Sequence, residues 1–107
     1  MAVTKTAFKV PGLLTNAAAT IFTTPTGLSI IRFLNVSNPT SAPVGFTMSL
    51  GADSSTTRIY DGFLVPAFTV LPIFCTHIVA TAVTVQAFAS VTSGINLEVT
   101  GDVITLG

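Results

Sequence analysis

Apolar and polar positions along this chain alternate with a period of two wherever they alternate at all. No segment sustains the i, i+3, i+4 apolar spacing of an amphipathic helix. Gly or Pro interrupts the chain every ten to fifteen residues over much of its length, the spacing of many short strands joined by turns. Residues 3–8 read as an extended arm that ends at Pro11-Gly12. Residues 17–23 form a first core strand, closed by Thr24-Pro25-Thr26-Gly27 with Pro and Gly placed for a turn. Leu28–Ser37 is a long strand ending at Asn38-Pro39-Thr40-Ser41. Val44–Leu50 alternates cleanly, with Val44, Phe46, Met48 and Leu50 on one face and Gly45, Thr47 and Ser49 on the other. A polar loop, 51–57, leads to a short strand at 58–60 and an Asp61-Gly62 turn. Strands at 63–65 and 68–75 flank the Pro66-Ala67 corner, and strands at 82–88 and 95–100 follow. In the last of these Ile95, Leu97 and Val99 point inward, and Gly101-Asp102 makes a bulge or turn before 103–106.

These elements predict an all-β domain: an antiparallel β-sandwich of jelly-roll type with about eight strands. An extended N-terminal arm, 1–12, precedes the sandwich domain, 13–107, and there is no repeat or linker. Two strands break the rule of one apolar face. Leu28–Ser37 carries Leu28, Ile30, Arg32, Leu34 and Val36 on one side, and Ile31 and Phe33 before Asn35 and Ser37 on the other. Segment 68–75 carries Phe68, Val70, Pro72 and Phe74 on one side and Leu71, Ile73 and Cys75 on the other. A strand apolar on both faces is covered on both, and a sandwich covers only one. The arm, a loop folded over the sheet, or another subunit has to supply the second cover.

Composition bears on that choice. Lys and Arg number four and Asp and Glu four, 7% of 107 residues, with no charge between Gly62 and Leu97. A monomer of 11.0 kDa exposes roughly 5,600 Å², so each charge serves on the order of 700 Å². Eighteen Thr and eight Ser supply part of the missing polarity; burial against other subunits supplies the rest. The expected interface is therefore Lys5, Phe8 and Lys9 on the arm with Ile31, Phe33, Leu71 and Ile73 on the outer faces. Zero net charge argues against nucleic acid, which needs clustered cations. The N-terminal stretch imitates a signal peptide, but Pro11, Gly12, Thr15 and Asn16 keep its apolar run below seven residues. Residues 73–91 are long enough to span a bilayer as a helix. Their Val and Thr content, the polar Thr76, His77, Thr81, Thr84 and Gln86, and the lack of Lys or Arg flanks favour strands and no membrane partner.

Candidate chemistry is sparse. Cys75 is the only cysteine, so no intrachain disulfide forms and no oxidising compartment is required. His77, the only histidine, shares a strand face with it, which permits a Cys–His nucleophilic pair in principle. No third group near in sequence would orient the pair, and the reading preferred is a packed thiol beside a hydrogen-bonded or interface imidazole. Asp53, Asp61, Glu98 and Asp102 are the only carboxylates; Asp61 finds a local partner in Arg58, and no two of them converge by pattern. Nothing has metal-ligand spacing, and Gly51-Ala52-Asp53-Ser54-Ser55 lacks the Lys and the helix of a phosphate loop. No metal, cofactor or enzymatic activity is expected. Trp is absent and Tyr60 is the one tyrosine, so stacking platforms for sugars or single strands are not marked.

The stretch Ile21-Phe22-Thr23-Thr24-Pro25-Thr26-Gly27-Leu28-Ser29-Ile30-Ile31-Arg32-Phe33-Leu34-Asn35-Val36-Ser37-Asn38 resembles a pattern of short virion proteins of tailed bacteriophages: strand, Pro-x-Gly turn, Ile-Ile-Arg strand, Asn-ended turn. Met48-Ser49-Leu50-Gly51, Arg58-Ile59-Tyr60-Asp61-Gly62, Val65-Pro66-Ala67 and Val99-Thr100-Gly101 continue it in order, over residues 13–104. Pro72-Ile73-Phe74-Cys75-Thr76-His77 departs from it, where a Gly-Asp or Gly-Glu turn is expected. The resemblance implies a β-sandwich accessory component of the virion. One form is a capsid decoration, or cement, protein that binds between major capsid subunits at the capsid surface as a homotrimer. The other is a tail or fibre component that binds host glycan.

Overall fold

The computed structural model describes residues 1–106 and contains eight strands and, among those residues, no helix. They are β1 (Ala2–Leu13), β2 (Ala19–Thr23), β3 (Leu28–Ser37), β4 (Val44–Leu50), β5 (Arg58–Val65), β6 (Val70–Val79), β7 (Thr84–Ala89) and β8 (Asn96–Thr105). Two four-stranded antiparallel sheets result, in the orders β1-β8-β3-β6 and β2-β7-β4-β5. The strands pair outside-in along the chain, β1 with β8, β2 with β7, β3 with β6 and β4 with β5, and β3–β8 and β4–β7 contacts complete the sheets. The inner faces meet in one core. Ile31, Leu34, Val36, Leu97 and Val99 come from the first sheet, and Val44, Phe46, Met48, Val85 and Ala87 from the second. The result is a β-sandwich. Its accessible surface, 5452 Å², is that of an ordinary monomer of this mass.

Alternation puts most of these side chains where periodicity predicts them. Val44, Phe46 and Met48 are buried on β4, and Ile95, Leu97 and Val99 on the approach to β8 and its first half. The two predicted strands at 58–60 and 63–65 are one strand, β5, because Gly62 adopts a left-handed φ of 65° that carries the chain through the Asp61-Gly62 corner.

The segment expected as an arm lies inside the sheet. Residues 2–13 pair with β8 from Ala2↔Thr105 to Leu13↔Asn96, so the boundary drawn at residue 12 falls within a strand. Residue 107 of the expected domain lies outside the described residues. Val10 and Pro11, just before and within the Pro11-Gly12 end expected for the arm, are absorbed by the register shift between Lys9 and Gly12. Phe8 stacks on Phe22 with ring centroids 5.2 Å apart and closes the seam between edge strands β1 and β2.

One bulge decides which residues of β3 face inward. Between Ile31 and Phe33 the register jumps against both β8 and β6, leaving Arg32 as the extra residue opposite β8. The bulge reverses the parity of the strand, so Ile31 and Leu34 both enter the core while Phe33 turns outward. Gly101 sits opposite Ile31 in this register, and a Cβ there would overlap the Ile30 carbonyl and touch the Phe8 ring. Only glycine permits that approach of the backbones.

Two buried polar side chains fix the sandwich ends. Asn38 Nδ2 donates to Ala42 O and Val65 O (2.7 and 3.0 Å), and its Oδ1 accepts from Thr40 N and Oγ1. Thr24 Oγ1 donates to Ala80 O at 2.6 Å and accepts from Val83 N at 2.8 Å, tying the β2–β3 turn to the β6–β7 loop. Buried polar groups paired this fully cost little to desolvate.

Candidate functional site

The seven residues expected at an interface separate into three groups. Ile31 is fully buried in the core, and Leu71 and Ile73 pack against it from the inner face of β6. Phe8 is taken up by the β1–β2 seam. Lys5, Lys9 and Phe33 remain at the surface, Lys9 and Phe33 half-buried. For β6 the pattern of two apolar faces holds with the faces exchanged: Leu71, Ile73, Cys75 and His77 point in, and Val70, Pro72, Phe74, Thr76 and Ile78 point out and are exposed. Phe33 is the register partner of Phe74 and packs on it at 5.2 Å. Sequence pattern lacks the one fact that assigns these faces, the bulge at Arg32.

The loop 51–57 does cover a face, though a polar one. Asp53 reaches back to accept from Ser49 Oγ at 2.9 Å, and its backbone N donates to Gln86 Oε1 at 2.9 Å. Ser49, on the outer side of β4, is buried there, and so is Thr47, whose Oγ1 accepts from Gly62 N at 3.0 Å. Arg58 donates to both Asp53 oxygens (Nε 2.9 Å, Nη2 3.0 Å) and to Asp61 Oδ1 at 3.0 Å, with its guanidinium 5.6 Å above the Phe88 ring. The hydrogen bonds from Arg58, then that from Ser49, hold the Asp53 carboxyl below its ordinary range, and the bond to Asp53 raises Arg58. The expected Arg58–Asp61 pair is present, and Asp53 is its stronger competitor. Asp102, read as a turn residue, lies in β8 and pairs with Arg32 at 3.0 Å.

Cys75 and His77 meet Tyr60 rather than each other. Tyr60 Oη and His77 Nε2 are hydrogen-bonded at 3.3 Å across the seam between β5 and β6, and the Cys75 thiol donates to Ile31 O at 3.6 Å. Burial pushes the Cys75 thiol up, against a smaller opposing hydrogen bond from Tyr60, and burial pushes the Tyr60 hydroxyl up as well. A reactive cysteine has the opposite shift, since the thiolate is the nucleophile. No group of three or more His, Cys, Asp or Glu among the described residues is placed to hold a metal ion.

No family model, curated protein or solved structure matches the chain.

Two of the hollows among the described residues are large enough to consider. One, about 460 Å³, lies on the outer face of the first sheet among Lys5, Thr6, Arg32, Thr100 and Asp102. Arg32 and Asp102 already neutralise each other there. The other, about 610 Å³ and mostly apolar, opens at the sandwich end beside Gly27, Leu28, Ala80 and Ile104. Among the described residues no helix is long and apolar enough to cross a membrane, and the span 73–91 is divided between β6 and β7. The surface feature that stands out is therefore the outward side of β6. Phe74 is 82% exposed, Ile78 63%, Val70 60%, and Phe68 just before the strand 72%.

Proposed function

We propose that this chain is a non-enzymatic structural protein of a tailed-bacteriophage virion: a capsid decoration protein, made in the host cytoplasm, that stabilises the head by binding between major capsid subunits. The resemblance over residues 13–104 supports the virion, and the β-sandwich agrees with it. The observation that carries the structural role is the uncharged, exposed outer side of β6 on a chain with eight charges in all. Such a side is a surface for protein contact. Cohesion comes from apolar burial at about 25 cal/mol per Å², reduced by the cost of association. Repetition over a lattice offsets the small area of each contact. The homotrimer expected of such proteins belongs to the same proposal.

The proposal extends to topology. The outside-in pairing, β1 with β8 through β4 with β5, is what a jelly roll requires: one long hairpin rolled so that β3 meets β8 and β4 meets β7.

Mass spectrometry of purified virions tests the role, with copy number set against the major capsid protein. Hundreds of copies are expected. A handful would move the chain to the tail or fibre, and its absence from virions would overturn the proposal.

A further inference from the structure

We propose that the outward ridge of β6, from Phe68 through Val70, Pro72 and Phe74 to Ile78, is the surface on which a second copy of this chain seats. The inference rests on reading the chain as an assembling structural protein, and it names the self-association surface that the core positions of Ile31, Leu71 and Ile73 leave vacant.

Four edge strands bound the two sheets, and three are guarded against pairing by charge, shortness or repeated register shifts. β1 has Lys5, Lys9, Pro11 and two register shifts. β2 is five residues long and shifted between Thr20 and Phe22. β5 has Arg58, Asp61, a left-handed Gly62 and two shifts. β6 is ten residues long and carries no charge; Pro72 and one irregularity between Phe74 and His77 are its only interruptions. Those two limit continuous backbone pairing, so the contact belongs mainly to side chains.

The ridge is built. Phe74 is backed by Phe33, and Phe68 is presented from a left-handed backbone, φ 52°, that a bulky residue rarely adopts. The Phe68 amide donates to Thr40 O at 3.1 Å and the Asn38 amide to Thr69 O at 2.8 Å, which hold that conformation. Strain kept at an exposed aromatic is a mark of a functional position.

Area and charge select the occupant. With a Phe side chain at about 200 Å², the ridge presents on the order of 500 Å². Covered by an equal area of a second copy, it buries on the order of 1,000 Å², the lower bound for a specific interface. No charge lies between Gly62 and Leu97, so the ridge offers nothing to a charged partner, and copies of it do not repel one another. A contact of this size alone is weak and depends on concentration.

Sedimentation equilibrium of the purified chain from about 5 to 300 µM tests this against two double variants, Val70→Ser/Phe74→Ser and Val10→Ser/Leu13→Ser. The second pair removes exposed apolar side chains from β1 instead. Circular dichroism and thermal melting confirm that each variant is folded, as substitutions at exposed positions allow. The expected result is a wild-type mass rising above 11.0 kDa with concentration, association weakened at least tenfold in the β6 variant, and little change in the β1 variant. A wild-type monomer throughout, a β6 variant that associates as well as wild type, or equal loss in both variants would overturn the inference. Virion copy number reads the decoration role separately, so either idea can fail alone.

Discussion

Replacing Ile31 by Ala tests the parity reversal on which the placement of every β3 side chain depends. Ile31 is fully buried among Leu34, Val36 and their neighbours in the opposite sheet. Removing three carbons forfeits about 2.4 kcal/mol of transfer free energy at about 0.8 kcal/mol per methylene. The cavity adds on the order of 1–2 kcal/mol at about 24 cal/mol per Å³ where the walls fail to collapse. The total, roughly 3–4 kcal/mol, is a large part of the stability of a domain this size. It should lower the melting temperature by about 15 °C and the urea midpoint by about 2 M with an unchanged slope. Phe33→Ala is the control. Phe33 lies outward, half-buried, and loses chiefly its packing on Phe74, worth about 1 kcal/mol. Urea titrations followed by circular dichroism at a few micromolar keep self-association out of the comparison. If Phe33→Ala cost as much as Ile31→Ala, the bulge at Arg32 would not exist in solution, and strict alternation with Ile31 and Phe33 on one face would stand.

Gly101→Ala forces a Cβ into the Ile30 carbonyl and should cost on the order of 1–3 kcal/mol in the same titration; a neutral substitution would mean that the β3–β8 approach is looser than described. The Asp53–Arg58 pair predicts a sign with pH. Because folding lowers the Asp53 pKa, its stabilisation is complete above the unfolded value, about 3.9, and is lost as pH falls through the lower folded value. Asp53→Asn should therefore flatten the dependence of stability on pH below about 4, measured by urea midpoints at pH 7 and pH 3, and an unchanged acid limb would exclude Asp53 from that role.

How much of this architecture is legible in the chain depends on the kind of signal. The strands of β4 and β7 and the first half of β8 read directly, because apolar residues alternate with small or polar ones and so mark the core face, and Val44, Phe46, Met48, Leu97 and Val99 keep that alternation. Residues 2–13 look like an arm because Pro11-Gly12 looks like a hinge, yet the hydrogen bonds that make them a strand come from β8, some ninety residues away. No local pattern carries a pairing of that range. The bulge at Arg32 leaves no trace either, since it uses no glycine of its own and its counterpart, Gly101, again lies on β8. A one-residue slip exchanges the faces of a strand. Ile31 therefore moved from the expected interface to the core, and the outward side of Phe33 is known only once the pairing is known.

The most informative disagreement concerns β6. Segment 68–75, apolar on both faces, reads as a strand covered on both. The fold instead places it at an edge, with Val70, Phe74 and Ile78 in the open. Simple packing economy would exchange the faces or cover the ridge with the loop 51–57. That loop is committed elsewhere, held by Asp53 to Ser49, Gln86 and Arg58 over the polar side of β4. The inner face of β6 is already occupied by Leu71 and Ile73 packed on the core. Nothing else in the described chain covers the ridge, although β6 shares with the other edges a proline and a register irregularity. Local rules are broken most often where function requires it. The exposed apolar side of β6 thus accords with the proposal that another protein supplies its last layer of packing.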